Sequence, residues 1–325
     1  MFTEIGDTTT AQGYDAEVTL RAGKWSALSA TLGGAACGVS IVQPIGAGPA
    51  STAVAVEASA VEASAAEASA AEASAAEASA AETTTQGDAA PDPLTVGLEA
   101  YWKLDETSAS DVVVDSSGNG HSGVSVNGPL PSMLTPPVGF PDRASRSFDG
   151  VSQYILVANN QGMNFSGDTT LAAWVNIASV TAGCHYFVAH GYCFTPPGEV
   201  ALRIGAPGCG GGTLPHYWAA GSWFSAEHSA IAPFSDLDLN VWIHIAGVYA
   251  GATWHLYRNG AEIGSLPSTV GAVPVASDWA IGARAPGVGP CVPVPPERYL
   301  NGLIDEVRIY RRALGPSEIL ELYHR

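Results

Sequence analysis

Positive charge is scarce in this chain. Its 325 residues carry 13 Lys and Arg against 31 Asp and Glu, a formal net charge of −18. The basic stripe on which a nucleic-acid backbone would lie is therefore missing. Long apolar runs are missing too. The most apolar early stretch, Lys24 to Cys37, is broken by Gly and Ser and is too polar for a membrane span. The opening Met1-Phe-Thr-Glu-Ile-Gly-Asp7 is acidic where a secretory leader is positive, and Gly34 stands where a lipid-attachment signal has Leu. Catalytic signatures are equally scarce. The chain has no Gly-x-Ser-x-Gly elbow and no His-Glu-x-x-His, and Gly208–Gly212 lacks the Lys of a phosphate loop.

What is abundant points to a β-fold. The 37 Gly and 22 Pro with only 14% charged residues suit a sandwich with many turns. Part of the acidity is local. Residues 1–96 hold 12 acids against Arg21 and Lys24, and residues 97–325 hold 19 acids against 11 bases. Of five cysteines, Cys184, Cys193, Cys209 and Cys291 fall in the C-terminal part, in or near Gly/Pro-rich loops. An even set of four there favours two disulfides and an oxidising location. Three pairings are open, and nearness in sequence favours Cys184–Cys193 as a local clip. Free thiols are a second reading. A metal site with His185 and His190 is a third, although Cys-x8-Cys is not a standard zinc spacing.

The chain divides by composition. Residues 1–50 contain two strand-like runs, Ala16–Leu20 and Gly38–Val42, and make too small a core to stand alone. They read as an anchor that needs a partner. Residues 51–86 repeat Glu-Ala-Ser-Ala-Ala. Ala and Glu favour helix, and five residues advance a helix by about 140°, so the glutamates spiral and leave no heptad seam. The segment reads as a semi-rigid stalk or a flexible spacer. As a helix, about 30 residues would reach roughly 45 Å. It is similar to the Ala/Ser-rich stalks of phage fibre proteins, which implies a homo-oligomer, by analogy a trimer. Residues 87–96 are a linker, and 97–325 the main domain.

The end of the chain is the most informative part. Asn301-Gly-Leu-Ile-Asp305-Glu-Val-Arg-Ile-Tyr310 reads as a strand, and alternation places Asp305 on one face with Val307 and Ile309. A carboxylate among aliphatics needs a cation or several donors. Gly315-Pro-Ser-Glu318 then opens a short helix with Ile319, Leu320 and Tyr323 as its apolar stripe.

This ending resembles the LamG-like jelly rolls of the concanavalin A-like lectin/glucanase superfamily. Further motifs agree in order: Gly97-Leu-Glu-Ala-Tyr-Trp-Lys-Leu-Asp105, Asp115-Ser-Ser-Gly-Asn-Gly-His121, Ser147-Phe-Asp149-Gly, Thr170-Leu-Ala-Ala-Trp174, Asn240-Val-Trp242-Ile-His244 and Trp254-His-Leu-Tyr257-Arg-Asn-Gly260. The resemblance implies an all-β, two-sheet antiparallel jelly-roll sandwich, with Trp102, Trp174, Trp242 and His244 at core positions. It also implies a structural Ca2+ that ties the first and last strands together. Asp105, Asp149 and Asp305 match the motifs, and Asn119 and His121 lie in the loop that would add oxygens. The run Asp115-x-Ser117-x-Asn119-Gly120 opens like an EF-hand loop, but Val126 replaces the closing Glu. The competing reading is that these aspartates cap turns.

Two further functions have candidate residues. Tyr217, Trp218, Trp223 and Phe224 lie close together in sequence with His216 and His228. Aromatic faces stack on sugar faces, so Tyr217, Trp218 and Trp223 are candidate glycan contacts, with core filling as the alternative. Glycoside hydrolysis needs two flanking carboxylates. No Glu-x-Asp-x-x-Glu run occurs, and Asp236 and Asp238 read as solvated turn acids. The expectation is a non-enzymatic display protein: residues 1–50 engage virion structural proteins, the stalk spaces the copies, and the jelly roll binds glycans or a host surface. A secreted bacterial adhesin and a purely architectural virion protein are the alternatives. All three place the protein outside the cell, without nucleic acid and without a membrane span. The sequon at Asn164 bears only on a eukaryotic secretory route.

Overall fold

The structure, a computed structural model, describes the backbone of residues 2–5, 8–13, 16–21, 28–32 and 35–39, and residues 92–325 apart from 109–110, 161, 195–196, 208, 210–213, 289–290 and 292–294. The chain divides into two units, Met1–Thr83 and Thr84–Arg325. In the first, β1 (Phe2–Ile5), β2 (Thr8–Gly13) and β3 (Ala16–Arg21) pair into an antiparallel sheet. A hairpin joins β4 (Leu28–Leu32) to β5 (Ala35–Val39). The strand expected at Ala16–Leu20 is present; of the one expected at Gly38–Val42, Gly38 and Val39 lie in β5, and residues 40–42 lie outside the described residues. The stalk expected at 51–86 and the first part of the linker lie outside the described residues.

The second unit begins earlier than residue 97. A 3-10 turn at Pro93–Thr95 is capped by Asp92, whose carboxylate pairs with Arg325 at 2.5 and 2.6 Å. The strands after it are β6 (Leu98–Trp102), β7 (Val112–Val113), β8 (Gly123–Val126), β9 (Leu130–Ser132), β10 (Ser145–Asp149), β11 (Tyr154–Val157), β12 (Thr169–Ser179), β13 (His185–Phe194), β14 (Pro197–Gly205), β15 (Tyr217–Trp223), β16 (Glu227–Pro233), β17 (Trp242–Ala250), β18 (Thr253–Arg258), β19 (Ala261–Pro267), β20 (Trp279–Ile281) and β21 (Asn301–Tyr310). The helix α1 (Pro316–His324) closes the chain. One sheet runs β19-β18-β17-β12-β21-β10-β9, with β6 also on β21; the other runs β16-β15-β14-β13-β20-β11-β8-β7. All ladder pairs between these strands are antiparallel, giving the two-layer sandwich that the sequence implies.

Alternation builds the core. Leu171, Ala173, Val175 and Ile177 of β12 meet Val200, Leu202 and Ile204 of β14 between the sheets, all 0–1% exposed. Their intervening residues face outward. On the outer face of the first sheet, Ala246, Val248 and Tyr310 are covered by Leu94, Ile319 and Leu322. The helix start is as expected: Pro316 lies in the first turn, and Glu318 accepts from the Gly315 N–H at 2.8 Å.

Strand β21 departs from simple alternation. One of its edges pairs with β12 throughout, but the other is shared, Asn301–Ile304 with β10 and Val307–Tyr310 with β6. Between these stretches Glu306 sits at φ +51°, and the register to β12 slips by one residue. A bulge of this kind reverses the facing of the residues beyond it. Ile304, Val307 and Ile309 therefore all enter the inter-sheet core. Asp305 does not share their face, which corrects the sequence expectation. It lies opposite Trp174 on β12 and is fully buried.

Candidate functional site

The five residues expected to hold calcium are not gathered in one place. Asp149 spends its carboxylate on the backbone N–H groups of Val151, Ser152 and Gln153 at 2.9–3.0 Å, and these bonds hold its pKa below the ordinary range against the opposing effect of burial. Asn119 donates to the carbonyls of Leu98 and Glu99, and His121 pairs with the Glu99 carboxylate at 2.9 Å. The EF-hand-like Asp115 accepts from the N–H groups of Tyr101, Ser117 and His121. The turn-capping alternative therefore accounts for Asp149 and Asp115.

Asp105 and Asp305 do converge, through a third residue, Asp142. Burial first, and the neighbouring Asp105 second, push Asp142 up to about 6. Burial, with Asp142 and Glu306 adding to it, pushes Asp305 up to about 10. Fully ionised, these carboxylates leave both Asp142 oxygens and Asp305 Oδ2 buried without a hydrogen-bond partner. A proton shared between Asp142 and Asp305 gives one oxygen of each a partner, and a hard cation could take all three. The donor chemistry suits Ca2+, but the ligand count falls short of the 6–8 oxygens it takes. Among the described residues no group of three or more His, Cys, Asp or Glu is arranged as a metal centre.

The expected aromatic contacts separate. Tyr217 and Trp218 are 0% exposed, and Trp218 Nε1 donates to Asp238 at 3.1 Å inside the sandwich. Neither meets a ligand from solvent, so both are removed from the candidate site. Asp238 is itself 2% exposed and pairs with Arg258 at 2.5 Å, so it is no solvated turn acid. Trp223 is different. It ends β15 half-buried, its ring 5.1 Å from that of Tyr192 on β13.

Beneath these two rings the outer face of the second sheet carries an unusual network. Register aligns Glu199 with Trp223 and Trp223 with Glu227. Two residues along β14 from Glu199 come the small Ala201 and then Arg203, on the same face by alternation. Arg203 reaches Glu227 at 2.7 Å, and its guanidinium lies 5.6 Å from the Tyr186 ring. Arg298 sits at the same distance from that ring and donates to the Tyr186 hydroxyl at 2.8 Å. The hydroxyl donates in turn to Glu199 at 3.1 Å. Arg284 lies 4.4 Å from the Tyr192 ring centre and 4.0 Å from Glu199. Burial pushes Glu199 above the usual carboxylate range despite three nearby arginines. Of these residues the sequence singled out only Trp223. The pattern Glu199-Val-Ala-Leu-Arg203 was a usable signal, since it sets two charges on one face of a strand whose other face is aliphatic.

The cysteines support the same region. The pairs are Cys184–Cys209 and Cys193–Cys291. The local Cys184–Cys193 clip is therefore corrected: Cys193 points into the inter-sheet core with Cys291, while Cys184 packs with Tyr186 and Ala201 on the outer face. Arg203 also donates to the Cys209 carbonyl at 3.4 Å. At the strand ends beyond Trp223 lies an open groove of about 510 Å³, lined by Phe224, Pro197, Tyr249, Val270, Val273 and Pro274 among others. Phe224 is 44% exposed on its rim.

Comparison with solved structures finds this architecture elsewhere. The binding domain of Paraclostridial Mosquitocidal Protein 1 is 18% identical with a TM-score of 0.51, over 71% of this chain and 52% of that one. The chain thus spans about half the length of that domain. Domain 4 of an extracellular GH43 arabinanase from Geobacillus stearothermophilus, solved with arabinotriose, is 20% identical with a TM-score of 0.49, over 70% of this chain and 98% of that domain. At such identities the likeness concerns the fold alone. No curated protein matches the chain. No helix among the described residues is long and apolar enough to cross a membrane. A laminin G-like family model, described as the concanavalin A-like lectin/glucanases superfamily, matches residues 149–320. With more than half of its length matched and both sheets of the sandwich in place, the chain belongs to the concanavalin A-like lectin/glucanase superfamily.

Proposed function

We propose that residues 92–325 bind saccharides without turning them over, through the outer face of the second sheet. One observation carries this reading: the half-buried Trp223 and Tyr192 rings, 5.1 Å apart, rise from a network of three arginines and three glutamates. Aromatic rings take the apolar face of a sugar, and fixed polar groups beside them select its hydroxyls. Binding rather than hydrolysis is supported by how the carboxylates are spent. Glu227 and Glu297 are ion-paired with arginines, and Glu199 is 3% exposed under Tyr186 and Arg284. The arabinanase domain was solved in complex with arabinotriose, which is a property of that protein.

Display is the proposed setting. Two disulfides fit an extracellular environment. Repeated stalks at 51–86 would bring several copies of the sandwich together, so that weak single sites add through effective concentration. A virion surface, with residues 1–50 as the attachment, is favoured, and a secreted adhesin is the alternative. We propose Ca2+ as a structural tie at Asp105, Asp142 and Asp305. A glycan array probed with wild type and Trp223→Ala tests the main reading. Signal lost in the variant with an unchanged melting temperature supports it; a flat array for the wild type favours a purely architectural protein.

A further inference from the structure

Glu297 holds a position that an external carboxylate could take. Its side chain is 41% exposed, yet it bridges two arginines, the buried Arg284 and Arg298, the latter at 2.9 Å. Arg284 is 7% exposed and Arg298 29%, so Glu297 is the most accessible member of the triad. The backbone around it is fixed. Glu297 N–H donates to the Arg284 carbonyl at 3.3 Å, and Arg284 N–H to the Glu297 carbonyl at 2.9 Å. Arg298 is held at φ +62°, a conformation that costs a non-glycine residue energy and persists where surrounding structure imposes it. The Glu297 side chain, the most exposed of the three, is the one an incoming carboxylate would displace.

Three further facts describe the place it would vacate. Arg284 lies against the Tyr192 ring, which touches Trp223, so the arginine pair adjoins the aromatic rim. Arg284 Nε is buried and has no hydrogen-bond partner, which leaves a donor unspent. Arg298 is braced from behind by the Tyr186 hydroxyl and through it by Glu199. A guanidinium pair with a fixed backbone and a spare N–H suits bidentate capture of a carboxylate.

We infer that the Glu297 carboxylate is an internal stand-in for the carboxylate of an acidic sugar, and that the ligand of this face is a glycan bearing a uronic or sialic-type acid. This rests on the saccharide-binding reading above. Exchange of one carboxylate for another keeps the charge around Arg284 constant, so no buried cation is left bare. The sugar ring would then lie on Tyr192 and Trp223. The net charge of −18 disfavours long polyanions, so the recognised feature is one acid on one residue rather than a charged run.

The test pairs each acidic glycan on an array with its methyl ester and probes it with wild type, Glu297→Ala, Glu297→Gln and Arg298→Ala. The expected results are acids bound at least tenfold more tightly than their esters, a gain of threefold or more for acids alone in both Glu297 variants, and a tenfold loss in Arg298→Ala. Esters bound as well as acids, or Glu297 variants that bind acids no better, would overturn the inference. In that case neutral glycans still lost on Trp223→Ala would leave the broader reading standing. No wild-type signal for any glycan would remove both. Melting temperature checks that each variant is folded.

Discussion

Asp305 and Trp174 are register partners across β21 and β12, both essentially buried, and they meet because Glu306 takes a left-handed backbone conformation one residue on. The bulge lifts a carboxylate out of the aliphatic core and sets it against Asp142. It also gives the folded protein a proton that the unfolded chain would not keep.

The pH dependence follows from that proton. Folded Asp305 keeps it up to about pH 10, whereas the free side chain loses it near 3.8. Its stabilising contribution is complete below the unfolded value and is lost as pH rises through the folded one. His190 and His244, held down to about 3 by burial, have the opposite sense: their contribution is present above 6.5 and lost toward 3. Between about pH 4 and 6 the two histidines offset Asp305 and Asp142. Above 6.5 the histidine effect is complete and the Asp305 effect persists. Asp305 alone should lower stability there by up to about 1.4 kcal/mol per pH unit. Urea melts in chelator from pH 6.5 to 9 measure it, and Asp305→Asn should flatten the slope. A variant with the wild-type slope would show that Asp305 is not the titrating group.

Calcium would act on the same three aspartates by replacing their proton. Mass action then predicts a rise in melting temperature with added Ca2+, larger at pH 8 than at pH 5, where protons compete better. At 100 times the dissociation constant the gain would be about 2.7 kcal/mol. Asp142→Asn should abolish it. Scans with Ca2+ and with chelator that overlay at both pH values would leave the proton as the sole tie.

The two-sheet class was legible from the resemblance, and the core because burial writes itself as alternation: Leu171 to Ile177 and Trp254 to Leu256 declare which face is inside. The site was less legible for identifiable reasons. The bulge at Glu306 inverts a facing that alternation alone assigns to Asp305. Asp142 comes from the loop between β9 and β10, with no periodicity to mark it. Arg284, Glu297 and Arg298 meet through an isolated pair of backbone bonds between loop segments outside the strands. Trp218 and Trp223 look alike in sequence, but five residues separate them on one strand, and an odd spacing puts them on opposite faces.

That difference gives a paired prediction. Trp218→Ala removes a fully buried ring and the donor to Asp238, and should cost roughly 3–5 kcal/mol of stability. Trp223→Ala should cost much less, because its ring is half-buried on the outer face, and its effect should fall on glycan binding. Denaturant midpoints beside binding isotherms read both quantities. Equal destabilisation by the two substitutions would place Trp223 in the core and remove it from the site.

The disulfides divide the same way. Cys193–Cys291 spans 98 residues and lies in the inter-sheet core, while Cys184–Cys209 spans 25 and lies on the outer face with Tyr186. Loop-closure entropy assigns about 4.7 kcal/mol to the longer loop and about 3.5 kcal/mol to the shorter. Paired Cys→Ser substitutions should follow that order in stability. They should follow the reverse order in function. Cys209 supplies the carbonyl that Arg203 bonds, and Cys184 packs beside the Tyr186 that braces Arg298. Loss of Cys184–Cys209 should therefore weaken glycan binding at temperatures well below the variant's melting point, whereas the Cys193–Cys291 variant, where folded, should bind almost as the wild type does. Binding isotherms and melts on the two double variants decide it, and a Cys184–Cys209 variant that binds normally would separate the arginine network from recognition.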